Sequence, residues 1–547
     1  MKILLSNIIK VALAIILVAG CSKDTLVEDP PNILAAQTIF KNLEGFEAGL
    51  NGLYNIARHG RWQSEKIENA LNGVDNMTSN FRRSDIFWNW TTSNSPADGD
   101  LLETYQWLYE VINASNTIIY YADDAKVNWS GGSDTPENNR LRVIAEARAL
   151  RAWAYRRLAY SWGDVPLTLK MESSVKTDWE RAPVAEVRKQ AIADYKFAQQ
   201  YVPTEGSLSG RITKGAVQTL LAEMYLTVNK TDSALYWCDQ VISNSAYKLV
   251  TARYGVKKTD PTGSPFGDMF KEGNQNRSQG NTEALWVFQF TLNSAIDERG
   301  NEISRAVVGR YGEWKIGGKA VFAYTYERGG RGKAYFGPSK WWVDSYEKQD
   351  DRAQNYILRK YFIINDAAAN APYPADQLPS GYKYGDTVKC VWTTPLSASY
   401  NSKTDFPYSR KGEGTDPANM QADFSWADQI YIRLADTYLL KAEAQFKRGD
   451  ATGAATTINI IRARSKATPI IAANVNIDFI LDERSRELFI EEERRGTLLR
   501  THKWFARTQL YNKYGGEKIS LRDTLFPIPQ DVIDANLTKT FPQNPGW

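Results

Sequence analysis

Val18-Ala19-Gly20-Cys21 places a thiol directly behind three small residues. Small residues before a cut, and a thiol at the N-terminus that the cut creates, are what lipid attachment to cysteine requires. Lys2 and Lys10 are basic, and residues 11–19 form an apolar run of signal-peptide length, too short to span a bilayer as a helix. Residues 1–20 therefore read as a lipoprotein signal peptide and Cys21 as the lipidated residue. Residues 21–36, polar and carrying Pro30-Pro31, read as a tether. Several acyl chains on one Cys give stable anchoring, where a single chain is marginal. Of the other two thiols, Cys238 falls on an apolar helix face and reads as a small core residue. Its pairing with Cys390 is left open.

Catalytic chemistry finds little purchase. The only two histidines, His59 and His502, stand outside any metal-binding motif, and no cluster has metal-ligand spacing. G-x-S-x-G, H-E-x-x-H and G-x-x-x-x-G-K-[ST] do not occur. Asp123-Asp124 and Asp350-Asp351 are adjacent pairs, and sequence neighbours point apart, whereas paired carboxylates for glycoside hydrolysis must converge in space. The chain reads as a non-enzyme with no cofactor and no metal. A net charge of +4 over 547 residues leaves no nucleic-acid footprint. Aromatic residues, with 17 Trp and 29 Tyr, exceed what a helical core requires. Trp and Tyr join an apolar face to a polar edge and so suit ligand surfaces, including the C–H faces of sugar rings.

The elements that would position these groups are mostly helices. Residues 145–162 form a long helix in which Leu150, Ala154, Leu158 and Ser161 share one face. Ala145, Ala147, Ala149, Ala152 and Ala159 keep the flanking faces thin, and Gly163 ends the helix ahead of Asp164-Val165-Pro166. Leu221-Ala222-Glu223-Met224-Tyr225-Leu226 and Leu434-Ala435-Asp436-Thr437-Tyr438-Leu439 share the pattern L-A-acid-x-Y-L. Each precedes a turn and a second helix, at 231–244 and 451–464. Small residues at a crossing, an aromatic and a short turn are how tetratricopeptide helix pairs stack. The fold class is therefore mainly α, with degenerate tetratricopeptide-like helical repeats as a scaffold.

A long irregular region interrupts the repeats. Residues 247–424 are rich in Gly, Pro, Asn, Tyr and Trp and keep few helical periods, while 284–290 reads as a strand. Loops and short strands lying on a helical scaffold are where function concentrates. The boundaries read as 37–246 helical, 247–424 irregular and 425–547 helical, with 37–547 one compact unit. A charged helix lies within 477–499, where Glu491 with Arg495, Glu487 with Arg484, and Glu491 with Arg494 can pair at three- and four-residue spacing and tie the scaffold.

The string A-E-A-R-A-L-R-A-W-A-Y-R-R-L-A-Y-S-W-G-D-V-P-L at 145–167 resembles the signature helix of the SusD/RagB family of outer-membrane nutrient-binding lipoproteins. Trp107-Leu108-Tyr109 with Ile112-Asn113-Ala114-Ser115-Asn116 is similar to that family's early helix. Asp344-Ser345-Tyr346 and Asp350-Asp351-Arg352 are similar to its mid-chain segment. Residues 430–436 with Lys441-Ala442-Glu443-Ala444 resemble its C-terminal repeat helix, followed by Asn459-Ile460-Ile461-Arg462-Ala463-Arg464. Residues 480–495 look like its charged helix. Phe526-Pro527-Ile528-Pro529 and Gln543-Asn544-Pro545-Gly546-Trp547 look like its closing motif, with Trp where Tyr is common. Lys23-Asp24 only partly matches the acidic surface-export signal of such lipoproteins.

The resemblance implies an outer-membrane, lipid-anchored, surface-exposed protein. It would capture an oligosaccharide and deliver it to a SusC-type TonB-dependent transporter, by binding and hand-over. Two alternatives stand beside it: peptide capture of the RagB type, and a tetratricopeptide-like envelope assembly lipoprotein that binds no ligand. The family's ligand site draws on an early insertion and on loops after the mid-chain strand, which fall here at 58–95 and 293–336. Within them Trp62, Trp88, Trp90, Tyr311 and Trp314 are the expected stacking surfaces, and Asp75, Asn76, Arg83 and Asn89 the expected polar contacts. Trp341 and Trp342 are adjacent in a helical segment, so one of them points into the core, and neither is included.

Overall fold

A computed structural model of the chain describes residues 36–62, 71–79, 86–172, 174–291, 300–364, 378–391 and 404–547. Cys21, the signal peptide and Arg83 lie outside the described residues. The principal helices and strands, in chain order, begin with α1 (Leu43–Trp62), β1 (Met77–Ser79), α2 (Gly99–Ala122), α3 (Pro136–Ser161), α4 (Val184–Tyr201), α5 (Lys214–Thr227) and α6 (Thr231–Ile242). The irregular region contributes β2 (Ala284–Phe288), β3 (Phe336–Pro338), α7 (Lys340–Asp344), β4 (Leu358–Arg359) and β5 (Tyr408–Ser409). The chain then returns to regular structure with β6 (Gln429–Arg433), α8 (Leu434–Lys447), α9 (Ala451–Arg464), α10 (Ile477–Leu488), α11 (Arg494–Arg500) and α12 (Trp504–Tyr511). No helix among the described residues is long and apolar enough to cross a membrane.

The helices stack in series. α3 packs between α2 and α4, α4 meets α5, α5 pairs with α6, α6 meets α8, and α8 pairs with α9 and α10. This is the mainly α, tetratricopeptide-like scaffold that the repeats predict. Its close crossings depend on small residues: Ala145, Ala147, Ala149, Ala152 and Ala154 are fully buried along α3, as are Ala222 and Ala435 in the two repeat motifs. α3 starts earlier than residue 145, where the Thr135 side chain accepts from the Asn138 N–H and Pro136 fills the first turn. It ends at Gly163, whose φ of +73° lets the chain turn away.

A helix buried on all sides must neutralise its polar residues. Arg151 on α3 donates from Nε and Nη2 to Asp194 on α4 at 2.8 and 2.7 Å, and from Nη1 to Asn116 Oδ1 on α2 at 2.7 Å. Arg156 pairs with Glu223 on α5 at 2.9 Å and with Glu493 at 3.0 Å. Cys238 is buried against Ala222, Leu440 and Ala444 between α5, α6 and α8. It and Cys390 are free thiols, which settles their pairing.

Two helical expectations are corrected. Residues 430–433 lie in a strand: β6 pairs antiparallel with β2, and the helix begins only at Leu434. β-branched and aromatic residues at Ile430, Tyr431 and Ile432 favour that strand, buried on both faces. The helix expected over 477–499 is broken between Leu488 and Arg494, with Phe489 extended and Ile490 at φ +64°. The pairs Glu491–Arg495 and Glu491–Arg494 therefore do not form, because their spacing no longer follows a helical turn, and Arg484 and Glu487, both inside α10, do not pair because Arg484 is taken by Asp436 and Glu492. The same carboxylates reach across to other elements. Glu487 pairs with Arg352 and Arg433 at 2.9 and 2.6 Å and with Arg464, and Glu491 pairs with Arg433 at 2.6 Å. Arg352 also holds Asp350 and Glu483, and Arg433 also holds Glu283. Burial alone would raise the Glu487 carboxyl, but Arg464, Arg433 and Arg352 outweigh it and hold it well below the usual carboxylate range.

Candidate ligand-binding site

The two regions that the sequence marks for ligand contact meet through β1 and β3, which pair antiparallel with Ser79 opposite Phe336. The pairing continues into α7, where Ser339 N–H donates to Asn76 O at 2.8 Å and the Ser339 side chain caps the helix. Buried ions hold the early segment in place. Asp75 accepts from Arg494 at 2.8 and 2.9 Å and from Arg507 at 2.8 Å. Its burial opposes ionisation, but those two guanidinium groups keep the carboxyl below its ordinary value. Asn76 donates to Ser485 Oγ at 2.8 Å. Asn512, just past α12, donates to Val74 O and Met77 O at 3.1 and 3.0 Å.

The interior of this junction is aromatic. Trp90 is fully buried and forms one wall of a box around Arg495, completed by Trp504 and Phe526. Burial pushes the Arg495 guanidinium down to about 9. Trp62 is covered by Arg61, 4.3 Å above its ring, and by the edge-on ring of Phe288. Tyr311 lies among Tyr324 and Phe362, with its hydroxyl donating to Gly330 O at 2.7 Å. Trp314 packs on Phe322 and Phe362. These four expected stacking residues are corrected to core residues: all are buried, Trp314 most exposed at 8 %. Their neighbours occupy the ring faces a sugar would need. Asp75 and Asn76 are likewise buried, with their polar atoms engaged as structural ties.

Trp88 and Asn89 are the expected residues that keep partial exposure. Asn89 donates to the neighbouring Thr92 hydroxyl. Trp88 stacks on Tyr514 with ring centroids 6.1 Å apart and planes within 9°. A second half-exposed stack lies nearby in sequence. Trp341 of α7 lies on Tyr511 of α12 at 4.3 Å and 20°, and Arg507 sits about 5 Å from both rings. The short stretch from Tyr511 to Tyr514 thus supplies one partner to each stack. Gly515 makes the Trp88 stack possible: at φ +101°, a Cβ there would lie 2.0 Å from Phe87 O, so only glycine lets the chain pass beneath Trp88. Trp342, next in the chain, is buried on Phe489 and donates to Ser485 O at 2.9 Å.

A separate cleft of about 970 Å³ opens in the irregular region, lined by residues from 256–272, 326–327, 354–363 and 410–414. Tyr326, Tyr356 and Tyr361 contribute rings, and Lys271, Arg359, Arg410 and Glu413 contribute charge. Volume, aromatic walls and a few convergent polar groups are the ordinary attributes of a small-molecule site.

Sequence reasoning missed Trp341, Tyr511, Tyr514 and the whole cleft. The adjacency of Trp341 and Trp342 already requires that one face outward, and Tyr511 and Tyr514 are three apart at a helix end. The cleft carries no such signal, because its residues come from four separated segments. Among the described residues no group of His, Cys, Asp and Glu could hold a metal ion.

A family model described as "SusD family" matches residues 252–547, and one described as "Starch-binding associating with outer membrane" matches 28–226. The chain is 22% identical over 519 residues to "SusD-like protein P25" of Formosa agariphila, covering 91% of this chain and 90% of that one. It is 34% identical over 131 residues, 23% of each chain, to "Starch-binding protein SusD" of Bacteroides thetaiotaomicron. Among solved structures it is similar to a "Laminarin binding SusD-like protein" with a TM-score of 0.69 at 20% identity, covering 93% of this chain and 100% of that one. "Surface glycan-binding protein A" from Bacteroides thetaiotaomicron gives 0.68 at 21% identity, with the same coverage of 93% and 100%. With more than half its length in one family model and the same stack of helices in its structural neighbours, the chain belongs to the SusD family.

Proposed function

We propose that this protein is a glycan-capture lipoprotein of the outer membrane. It is anchored through Cys21, exposed at the cell surface, and hands oligosaccharides to a SusC-type TonB-dependent transporter. It works by binding and release, with no covalent step. Residues 37–246 and 425–547 supply the scaffold of one unit, and 247–424 with the early insertion supply the ligand side.

The observation that carries this reading is the pair of half-exposed stacks, Trp88 on Tyr514 and Trp341 on Tyr511, at the junction of the two insertions. Flat rings that are prevented from rotating present a rigid apolar surface to the C–H faces of sugars at little entropic cost. Lys518 and Asn89 border the Trp88 ring with donors for hydroxyl groups, and Arg83 is proposed as a further donor. Membership of the SusD family supports the same reading, as do relatives described as starch-binding, laminarin-binding and surface glycan-binding. Affinity should be modest, since a captured sugar must also be released.

The test is a polysaccharide panel run by affinity electrophoresis on the chain from Ser22 onward, with Trp88→Ala and Trp341→Ala alongside. Retardation by one polysaccharide class, weakened in either variant while the circular dichroism spectrum is unchanged, supports the proposal. Binding of peptides with no glycan retarded would overturn the sugar assignment. Purification of the lipidated protein from membranes without an accompanying TonB-dependent barrel would overturn the delivery step.

A further inference from the structure

The cleft at 256–272 and 354–363 differs from the aromatic face in its charge. Lys257, Lys271, Arg359 and Arg410 line it together with Asp260, Glu272, Glu327 and Glu413. Arg359 Nη2 holds Glu413 Oε1 at 2.6 Å and Arg410 Nε holds Oε2 at 2.6 Å, so both carboxylate oxygens are engaged. Burial would raise the Glu413 carboxyl, but Arg359, Arg410 and Lys271 together keep it below its ordinary value.

Lys271 is left without a carboxylate of its own. Its Nζ donates to Tyr356 O at 3.1 Å and sits 4.1 Å from the centre of the Tyr356 ring, and among the described residues it enters no ion pair. An ammonium carries three donors, and one is used. Desolvation in the cleft wall, reinforced by the Arg410 charge, pushes it well below its ordinary value. Glu413 and Asp260 offset this only in part, and none of the cleft's acids, Asp260, Glu272, Glu327 or Glu413, pairs with it. Asp260 accepts from Thr262, and Glu272 accepts from the Tyr326 hydroxyl. A desolvated amine with open donors, facing a cavity, has its ammonium form favoured by an anion arriving from solution. Beside it Tyr326, 39 % exposed, and the half-buried Tyr361 offer apolar surface, and the volume admits a short oligomer.

We propose that this cleft is a second ligand site, which takes a saccharide bearing an anionic group, carboxylate or sulfate, with Lys271 Nζ as the anchoring cation. The saccharide class rests on the capture reading; the requirement for an anion rests on the cleft alone. The protein thereby distinguishes acidic from neutral glycans at a place apart from Trp88 and Trp341.

The test is calorimetric titration with a panel of uronic-acid and sulfated oligosaccharides, each matched by its carboxyl-reduced or desulfated counterpart. At least one acidic oligomer should bind at least about tenfold more tightly than its neutral counterpart, with affinity falling as salt is raised. Lys271→Met should weaken that ligand at least about tenfold, and Lys271→Arg should retain most of the affinity. Preference for uronates or for sulfated sugars identifies the group, and either supports the site. Equal binding of acidic and neutral partners, unaltered affinity in Lys271→Met, or no acidic oligomer bound would overturn it. Neutral glycans bound through Trp88 and Trp341 with no acidic ligand would leave capture standing and remove only this inference.

Discussion

The interior beneath α10 and the wall of the cleft are both built from arginine and glutamate, yet they are closed differently. Under α10 the central cations meet several carboxylates: Arg433 touches Glu283, Glu487 and Glu491, and Arg352 touches Asp350, Glu483 and Glu487. In the cleft Arg359 and Arg410 share Glu413, and Lys271 enters no ion pair among the described residues. The aromatic residues divide in the same way. Trp62 and Trp90 have neighbours over their faces, whereas Trp88 and Trp341 are stacked but half-exposed. Where side chains satisfy one another completely, the arrangement is structural. Where the set is incomplete and faces solvent, it is open to a ligand.

Breaking the closed region should cost most. Arg433→Met leaves Glu283, Glu487 and Glu491 buried with less compensation, and should destabilise the chain by about 3–5 kcal/mol, read from the urea midpoint. A loss below about 1 kcal/mol would show that the network tolerates an open valence and would blunt the contrast with the cleft.

Acid attacks the same region. Glu443 is held down to about 2 by Arg500, and Glu493 to about 2 by Arg157, Arg156 and Arg61, in each case against the opposing effect of burial. Between that value and the ordinary 4.5 the unfolded chain takes up protons that the folded chain refuses. Stability from these two groups should therefore be fully present above pH 4.5 and fall as the pH drops toward 2, as thermal melts across that window would record.

The open aromatic face should respond in the opposite sense. Trp341→Ala should weaken glycan binding by about 1–2 kcal/mol while changing stability less than Arg433→Met does. Comparable losses of stability in the two variants would mean that Trp341 belongs with the core. At the small end, Lys340→Ala removes an exposed pair with Asp344 and should stay within about 0.5 kcal/mol in stability.

The scaffold was legible because its signals are local. The L-A-acid-x-Y-L motifs, the alanine-lined α3 and its Gly163 stop each describe one helix and its crossing. The break at Ile490 was not legible, since the residues on either side favour a helix and only tertiary ion pairs draw Glu491 and Arg494 to different partners. For the site, sequence located the two insertions that β1 and β3 join, but not which rings face outward. Trp88 and Trp90 are two residues apart and look alike in sequence. Arg495 and Trp504 bury one, while the bend at Gly515 leaves the other at the surface beside Tyr514. Lys271 had no sequence signal, because its lack of a partner depends on Arg359 and Arg410 having taken both oxygens of Glu413.

The most direct measurement is calorimetric titration of an oligosaccharide, drawn from the polysaccharide class retained in electrophoresis, into the wild-type chain and into the Trp88→Ala/Trp341→Ala double variant, with thermal melts confirming that both are folded. The account predicts a saturable wild-type isotherm and an affinity at least about tenfold lower in the double variant. An unchanged isotherm in a folded double variant would contradict it and place glycan capture elsewhere on the molecule.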